Sequence, residues 1–320
     1  MENYVEKLGD KVPNNCPLQG DIKRLKCPPV CAILLLSTMR GLFEMPTAKK
    51  ENYSAKRGAL VVKANEIIQR SRFQLSTNEQ KIVLFLISQI NPIIDSEFKE
   101  YEFSIQDFCK VCGIKYGGTS YSLIKEQIQN IADKSLWIEL DNGTETLIRW
   151  IAKARIDKTG FIRIKLDDDL KPYLLQLMTN FTKYQLLYTL KFKCKYSIRL
   201  FELAHSIHFD KTKPYTRRFE LEQFKQLLGA ETYTDYKDFR KRVLKPAVEE
   251  INKYSDINIE VNRIMNGHSI VALELCISSK NEVELVFLKE EIDKELGSPQ
   301  VSIWELIDTK QVDKGIEDGN

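Results

Sequence analysis

The chain has 320 residues, 43% apolar and 29% charged, with 48 Lys/Arg against 45 Asp/Glu for a formal charge of +3. This is the composition of a core-forming globular chain, and its length suits two domains at roughly 100 to 200 residues each. The longest apolar runs, residues 30–36 and 82–87, fall far short of the roughly 18 to 20 residues that cross a bilayer, so no membrane partner is expected.

Seven cysteines, at positions 16, 27, 31, 109, 112, 194 and 276, are an odd number spread along the chain. They form no disulfide framework, which points to a reducing cytoplasm. Residues 23–37 imitate a signal peptide but begin late and lack an Ala-x-Ala exit. Residues 1–58 are therefore expected to be a disordered or artefactual extension, with translation starting at Met39 or Met45.

Several chemistries lack their residues. None of the fourteen glycines precedes a lysine, so there is no phosphate-cradling P-loop. The three histidines, His205, His208 and His268, form no His-x-His or His-Glu-x-x-His pair for a metal nuclease; His205 and His208, three apart on one helix, are expected to be structural. Cys109-x-x-Cys112 has no partner pair outside the leader and is expected to pack a small helix through Phe108, Val111 and Cys112. No cofactor, metal or catalytic residue is expected. An enzyme that nicks or primes DNA with magnesium would have Asp167, Asp168 and Asp169 as its best ligands, but consecutive carboxylates diverge and read as a solvated turn.

In chain order, the capping box Ser76-Thr-Asn-Glu79 opens a helix from 77 to about 90, stopped by Asn91-Pro92. Ser104-Ile-Gln-Asp107 starts a short helix, Ile105–Cys112, broken at Gly113 and the Gly117-Gly118 loop. A longer helix follows over 121–135, with Ile124, Ile128 and Ala132 at helical spacing. Segments 136–140, 150–156 and 161–166, the last two joined by an Asp157-Lys-Thr-Gly160 turn, read as a hairpin wing. The join between units is expected near 166–171. Residues 173–209 read as two helices broken around 189–195. Then the first pattern returns: Phe103-Ser-Ile-Gln-Asp-Phe-Cys-Lys-Val-Cys-Gly113 is matched by Phe219-Glu-Leu-Glu-Gln-Phe-Lys-Gln-Leu-Leu-Gly229, 116 residues later. A helix over 235–254 follows, with Phe239, Val243, Ala247 and Ile251 as its apolar stripe. Strands 257–264 and 269–277 flank Asn266-Gly267, a type I′ turn signal. The predicted fold is α+β: two tandem winged-helix domains, residues 59–172 and 173–279, with a tail over 280–320. That tail has five lysines and eleven acids, a charge of −6 that leaves +9 on residues 1–279.

On the helix over 235–254, Lys237, Lys241 and Lys245 lie opposite the apolar stripe and Arg240 and Arg242 flank them. With Arg263 and His268 on the wing, they put positive charge where an inserted helix meets the DNA major groove. A basic helix face is more often merely solvated, and it is the coincidence with a helix-turn-helix that favours DNA. Lys195 and Arg199, with Lys191 and Lys193, suit phosphate contacts. In the first unit Ser122, Lys125 and Gln129 are the exposed polar positions. Glu126 and Asp133 dilute the charge there, so a weaker, secondary DNA contact is expected, with the long hairpin free for protein pairing.

Over about residues 59–279 the chain resembles the plasmid replication initiators that bind iterons, which are built of two tandem winged-helix domains. The likeness is carried by Val62-Lys-Ala-Asn65-Glu-Ile, Phe181-Thr-Lys-Tyr-Gln-Leu186, Lys195-Tyr-Ser-Ile-Arg199-Leu-Phe-Glu-Leu203, Arg218-Phe-Glu-Leu-Glu-Gln-Phe224, Phe239-Arg-Lys-Arg-Val-Leu-Lys-Pro-Ala247 and Glu250-Ile-Asn252. It implies that monomers bind direct repeats of double-stranded DNA at a plasmid origin, while dimers bind an inverted repeat in the operator and repress their own gene. It further implies partners in the host replication initiator and helicase, a second-domain helix reading the major groove through residues 237–245, and a first domain that supplies much of the dimer surface. The leader and the acidic tail receive no role from the resemblance. A plain winged-helix repressor and a metal-dependent nicking or priming enzyme are the alternatives.

Overall fold

The computed structural model describes residues 56–297; residues 1–55, with Met39 and Met45, and residues 298–320 lie outside the described residues. The first unit runs β1 (Leu60–Ala64), α1 (Asn65–Gln69), β2 (Ser71–Arg72), α2 (Thr77–Ile87), β3 (Tyr101–Ser104), α3 (Ile105–Cys112), α4 (Ser120–Asp133), β4 (Ser135–Glu139), β5 (Glu145–Arg149), β6 (Ile151–Ile156) and β7 (Phe161–Leu166). The capping box of α2 closes in both directions, Ser76 accepting from the Glu79 amide and Glu79 from the Ser76 amide. Ser104 caps α3 through the Asp107 amide, and Gly113 ends that helix at φ 64°, a left-handed conformation that glycine adopts at little cost.

A 3₁₀ turn (Asp168–Leu170) leads to α5 (Lys171–Leu174), β8 (Phe181–Gln185), α6 (Leu187–Leu190), α7 (Lys195–Ile207), β9 (Tyr215–Glu220), α8 (Leu221–Leu228), α9 (Tyr236–Phe239), a π turn (Arg240–Leu244), α10 (Lys245–Tyr254), β10 (Ile257–Asn266), β11 (Ser269–Ser279) and α11 (Glu282–Glu295). The duplication seen in the sequence has the same geometry in both copies. In each, the strand before the short helix pairs antiparallel with the last wing strand, giving the orders β3-β7-β6 and β9-β11-β10. Phe103 and Phe108 are tilted by 46° with centroids 6.1 Å apart; their counterparts Phe219 and Phe224 are tilted by 45° at 5.4 Å.

Three expectations are corrected. Residues 173–209 are not two helices. A strand, β8, intervenes and pairs antiparallel with β1, which starts 121 residues earlier, from Leu60 against Gln185 to Ala64 against Phe181. Segment 136–140 is not part of the wing: β4 pairs with β5 and β2 in a separate three-stranded sheet. The second wing does not turn on Asn266-Gly267 in type I′ form. Asn266 is still paired, with Ser269, so the two-residue loop is Gly267-His268, and φ is positive at Gly267 alone, the pattern of type II′.

Three of the six motifs that carried the family resemblance meet in one buried knot. Lys63 of β1 donates to Glu202 of α7 at 2.6 Å, and the Tyr184 hydroxyl of β8 donates to the same carboxylate oxygen. Thr182 donates to Asn65 at 2.6 Å. Burial drives the Lys63 ammonium pKa down, and the Glu202 charge opposes that shift. A carboxylate buried this deeply needs both donors, because an unpaired one costs several kcal/mol. The helix carrying Glu202, α7, is buried along nearly its whole length. It packs on α1 and α2 of the first unit and on α8 and α10 of the second.

The ends of the described chain are also tied in. Arg57, placed by the sequence reading in the extension, is 1% exposed; it donates to the Val111 and Lys110 carbonyls at the end of α3 and pairs with Asp293 of α11 at 2.9 Å. Helix α11 buries Leu288 and Ile292. No helix among the described residues is long and apolar enough to cross a membrane.

Candidate nucleic-acid interface

The second unit's cationic helix is continuous from α9 through the π turn to α10. Asp235 opens it by accepting from the amides of Lys237 and Asp238. Phe239, Val243, Ala247 and Ile251 are all 0% exposed. Their spacing of four overruns an ideal helical turn by about 40° per step, so a regular α-helix would rotate Ile251 about 120° off the stripe. The π turn widens the helix at Arg240–Leu244 and takes back part of that drift. Its cause is Pro246, which has no N–H to offer the Arg242 carbonyl and whose ring clashes with that carbonyl in a regular turn. The correction that aligns the buried stripe also aligns Lys237, Lys241 and Lys245 along the opposite side.

Lys237, Arg240, Lys241, Arg242 and Lys245 are all exposed. Arg242 lies 3.9 Å from Asp238 and Lys245 3.7 Å from Glu249, loose solvent pairs that hold neither cation firmly. Arg263 stands exposed on β10 and His268 at the wing tip. Helix and wing enclose an open groove of about 660 Å³, whose lining includes Tyr236, Arg240, Lys245, Asn262, Arg263 and Met265. Burial raises the Tyr236 phenol pKa, and the nearby Arg263 and Arg240 charges work against that rise. Tyr236 and Asn262 were not singled out from the sequence; the aromatic in the first turn of the cationic helix was the available signal.

The wing is locked to the helix by residues from the last part of the family pattern. Asn252 accepts from the Ile259 amide at 2.7 Å and donates to the Ile259 carbonyl at 3.0 Å. Glu250 reaches the other way, capping the start of α7 through the amides of Lys193 and Cys194 and the Ser197 hydroxyl. Lys193 itself is exposed, whereas Lys191 pairs with Glu295 at 2.5 Å.

In the first unit α4 buries Ile124, Ile128 and Ile131 and exposes Ser122, Lys125 and Gln129. The β6–β7 wing, expected to be free for protein pairing, exposes Lys153, Arg155 and Lys158. Arg155 lies 3.6 Å from Glu100.

Arg199 is the one proposed contact that the structure removes from the surface. It is 5% exposed, its guanidinium donates to the Ser71 and Leu227 carbonyls, and it lies 4.4 Å from the centre of the Phe73 ring. It cannot reach a phosphate from there. Lys195, half-buried, keeps an ammonium 3.5 Å from the Gln74 side-chain oxygen. The two remaining histidines have internal partners: Asp256 at 2.8 Å for His205 and the Lys213 carbonyl at 3.0 Å for His208. Cys109 and Cys112 are packed in the core, where burial pushes the Cys112 thiol up to about 12. Asp167 caps the 3₁₀ turn and Asp168 pairs with Lys165 and Lys171, which occupies the acidic triplet as a structural turn.

Comparison with known proteins agrees with this geometry. Residues 60–205 match the family described as Initiator Replication protein, WH1, and residues 220–277 match Initiator Rep protein, WH2. A replication initiation protein of Escherichia coli is 26% identical over 211 residues, 64% of this chain and 65% of that protein, so the likeness spans slightly less than two thirds of the relative. A crystal structure of Pi initiator protein in complex with iteron DNA superposes with a TM-score of 0.60 at 17% identity, covering 71% of this chain and 99% of that one. With both of its winged-helix units matched in order, the chain belongs to the Rep family of replication initiator proteins.

Proposed function

We propose that the protein is a sequence-specific, double-stranded-DNA-binding initiator of plasmid replication that acts in the cytoplasm without covalent chemistry. The observation that carries this is the cationic row Lys237, Lys241 and Lys245 with Arg240 and Arg242, exposed along the helix whose other face is fully buried and beside a wing bearing Arg263. In the solved relative of this fold the DNA is an iteron, which supports direct repeats at an origin as the ligand here. Phosphate neutralisation supplies affinity, the reading helix supplies sequence choice, and occupancy of neighbouring repeats bends and strains the adjacent duplex.

The first domain, residues 59–172 in the sequence reading, makes the secondary contact through Ser122, Lys125 and Gln129 and pairs two copies into a dimer that binds an operator inverted repeat and represses the gene. Residues 173–279 hold the main reader, helped by Lys195 and His268. Host initiator and helicase proteins are the further partners. A minimal plasmid carrying the gene and its flanking DNA tests the initiator reading: replication supports it, whereas repression of the gene's promoter without replication makes the protein a winged-helix repressor. Metal-dependent nicking of the supercoiled plasmid by the purified protein would overturn the non-covalent mechanism.

A further inference from the structure

We infer that Arg199 is a positioning residue that fixes the distance and phase between the two DNA-reading heads. The inference rests on the proposed DNA-binding function but assigns Arg199 a role unlike a phosphate contact. Its Nη2 donates at 2.9 Å to the Ser71 carbonyl, on β2 of the first unit, and at 2.9 Å to the Leu227 carbonyl, near the end of α8 in the second. Nε adds a bond to Leu227 at 3.3 Å. The guanidinium also stacks on Phe73, whose ring meets Trp150 edge-on at 5.2 Å, and Trp150 is the buried residue that precedes wing strand β6. Through Phe73, Arg199 thus links the foot of the first wing to the end of α8, which leads into the second unit's cationic helix.

The chemistry of the site argues against a merely stabilising role. Arg199 forms no salt bridge with a carboxylate among the described residues, although the Glu202 charge acts on it from one turn along α7; its hydrogen-bond partners are backbone carbonyls from the two units. Burying a cation on such terms is costly, and that cost offsets much of what its carbonyl hydrogen bonds contribute to stability. What an apolar side chain lacks is direction: the planar fork accepts one arrangement of the two carbonyls. Nearby contacts share that directional character. Gln74 donates to the Gly229 carbonyl at 3.2 Å, and Gln69 donates to Ser206 at 3.0 Å. Gly229 itself, at φ 66°, sits so close to Phe73 and Gln74 that an added Cβ would lie 3.3 Å from the Phe73 carbonyl.

The test uses the full chain and a duplex that the wild-type protein selects from a randomised pool, with hydroxyl-radical footprinting to locate the segments protected by each head. One base pair is then inserted between them, turning one segment by about a tenth of a helical turn relative to the other. Wild type should lose about tenfold or more in affinity on insertion, the scale of a lost base contact. Arg199→Met should bind the parent duplex about tenfold more weakly yet lose less than about threefold further on insertion, with the slope of log K against log salt unchanged. An Arg199→Met protein that keeps the full insertion penalty overturns the inference. So does a slope that falls by about 0.9, which marks a phosphate contact, or a wild-type footprint confined to one segment. If Arg199→Met does not fold, Arg199→Lys, which retains charge but not the fork, is judged by the same outcomes. A wild-type protein that selects no duplex sinks the DNA-binding reading itself, a result distinct from retained spacing discrimination in a protein that binds.

Discussion

Replacing Arg240, Lys241 and Arg242 together with alanine tests the reading helix most directly. Six exposed cations face the helix-wing side: Lys237, Arg240, Lys241, Arg242, Lys245 and Arg263. Two of them have acidic neighbours at 3.9 and 3.7 Å, exposed pairs worth about 1 kcal/mol or less and easily displaced by phosphate. Between about four and six phosphates are then neutralised, and at about 0.9 per phosphate the slope of log K against log salt is about −3.6 to −5.4. From about 50 to 200 mM salt the wild-type affinity should fall by roughly 10² to 10³. Removing three cations should flatten the slope by up to about 2.7, while any arginine bidentate to a guanine costs a further ~1 to 3 kcal/mol on the cognate duplex only. Fluorescence anisotropy on the selected duplex, across a salt series, reads both quantities. Lys99→Ala, Lys183→Ala and Lys213→Ala together, three exposed cations outside that helix and its wing, control for net charge. A triple variant whose slope stays within about half a unit of wild type refutes the assignment.

Lys63→Met should cost ~3 to 5 kcal/mol in urea unfolding, because it strands Glu202 in the core; adding Glu202→Leu should recover most of the loss. Gly113→Ala should destabilise the protein by more than ~1 kcal/mol in thermal unfolding, since a Cβ there would lie 2.3 Å from a Leu296 methyl as well as straining φ, whereas Gly143→Ala, in open space at φ 77°, incurs the backbone strain alone. Burial opposes the charge on Asp256, but His205 and Lys211 hold its carboxyl below the ordinary 3.8. The folded state therefore binds that proton less readily, the stabilisation is present above 3.8, and it is lost as pH falls through the folded value. Asp256→Asn should flatten the fall in stability as pH drops from just above 3.8 through the folded value, read in a denaturant series; an unchanged acid limb argues against this pairing. Cys109 and Cys112, deep in the core, should resist a thiol reagent at neutral pH until the protein unfolds, as followed by mass-resolved labelling.

The repeated unit was legible because its determinants are local. A glycine at each short helix's end and a paired phenylalanine recur at fixed spacing, and each marks a conformation that neighbouring residues impose. Strand β8 was not legible for the opposite reason: it is five residues long, and its partner lies at residues 60–64, so no local pattern announces the pairing. The π turn had a local cause, Pro246, but its effect is a change of helical phase that a fixed 3.6-residue template cannot express. Arg199 was misread because charge alone says surface; only the carbonyls of Ser71 and Leu227, which tertiary packing brings to it, make its burial possible. Lys237, Lys241 and Lys245 were read correctly as exposed, since Phe239, Val243 and Ala247 commit the opposite face to the core.

These differences separate two kinds of information in the chain. Lys63, Thr182, Tyr184, Glu202, Glu250 and Asn252, all within the segments that carry the family likeness, are spent on holding β1, β8, α7 and the second wing together. Within the reading helix the same division recurs at finer scale, with Phe239, Val243, Pro246 and Ala247 setting the axis and phase of a rod whose intervening arginines and lysines face outward. A likeness carried by the first set predicts where a duplex lies. The sequence that is read depends on the second set, which the scaffold leaves free to change: exposed Arg240 or Arg242 could become glutamine or asparagine at little cost to folding, shifting preference from guanine toward adenine. Selection of duplexes by such variants should therefore yield new sequences at unchanged spacing, because in the proposed arrangement the spacing is set at the α7 junction and the bases are read at Arg240 and Arg242, 12 and 14 residues beyond the end of α8.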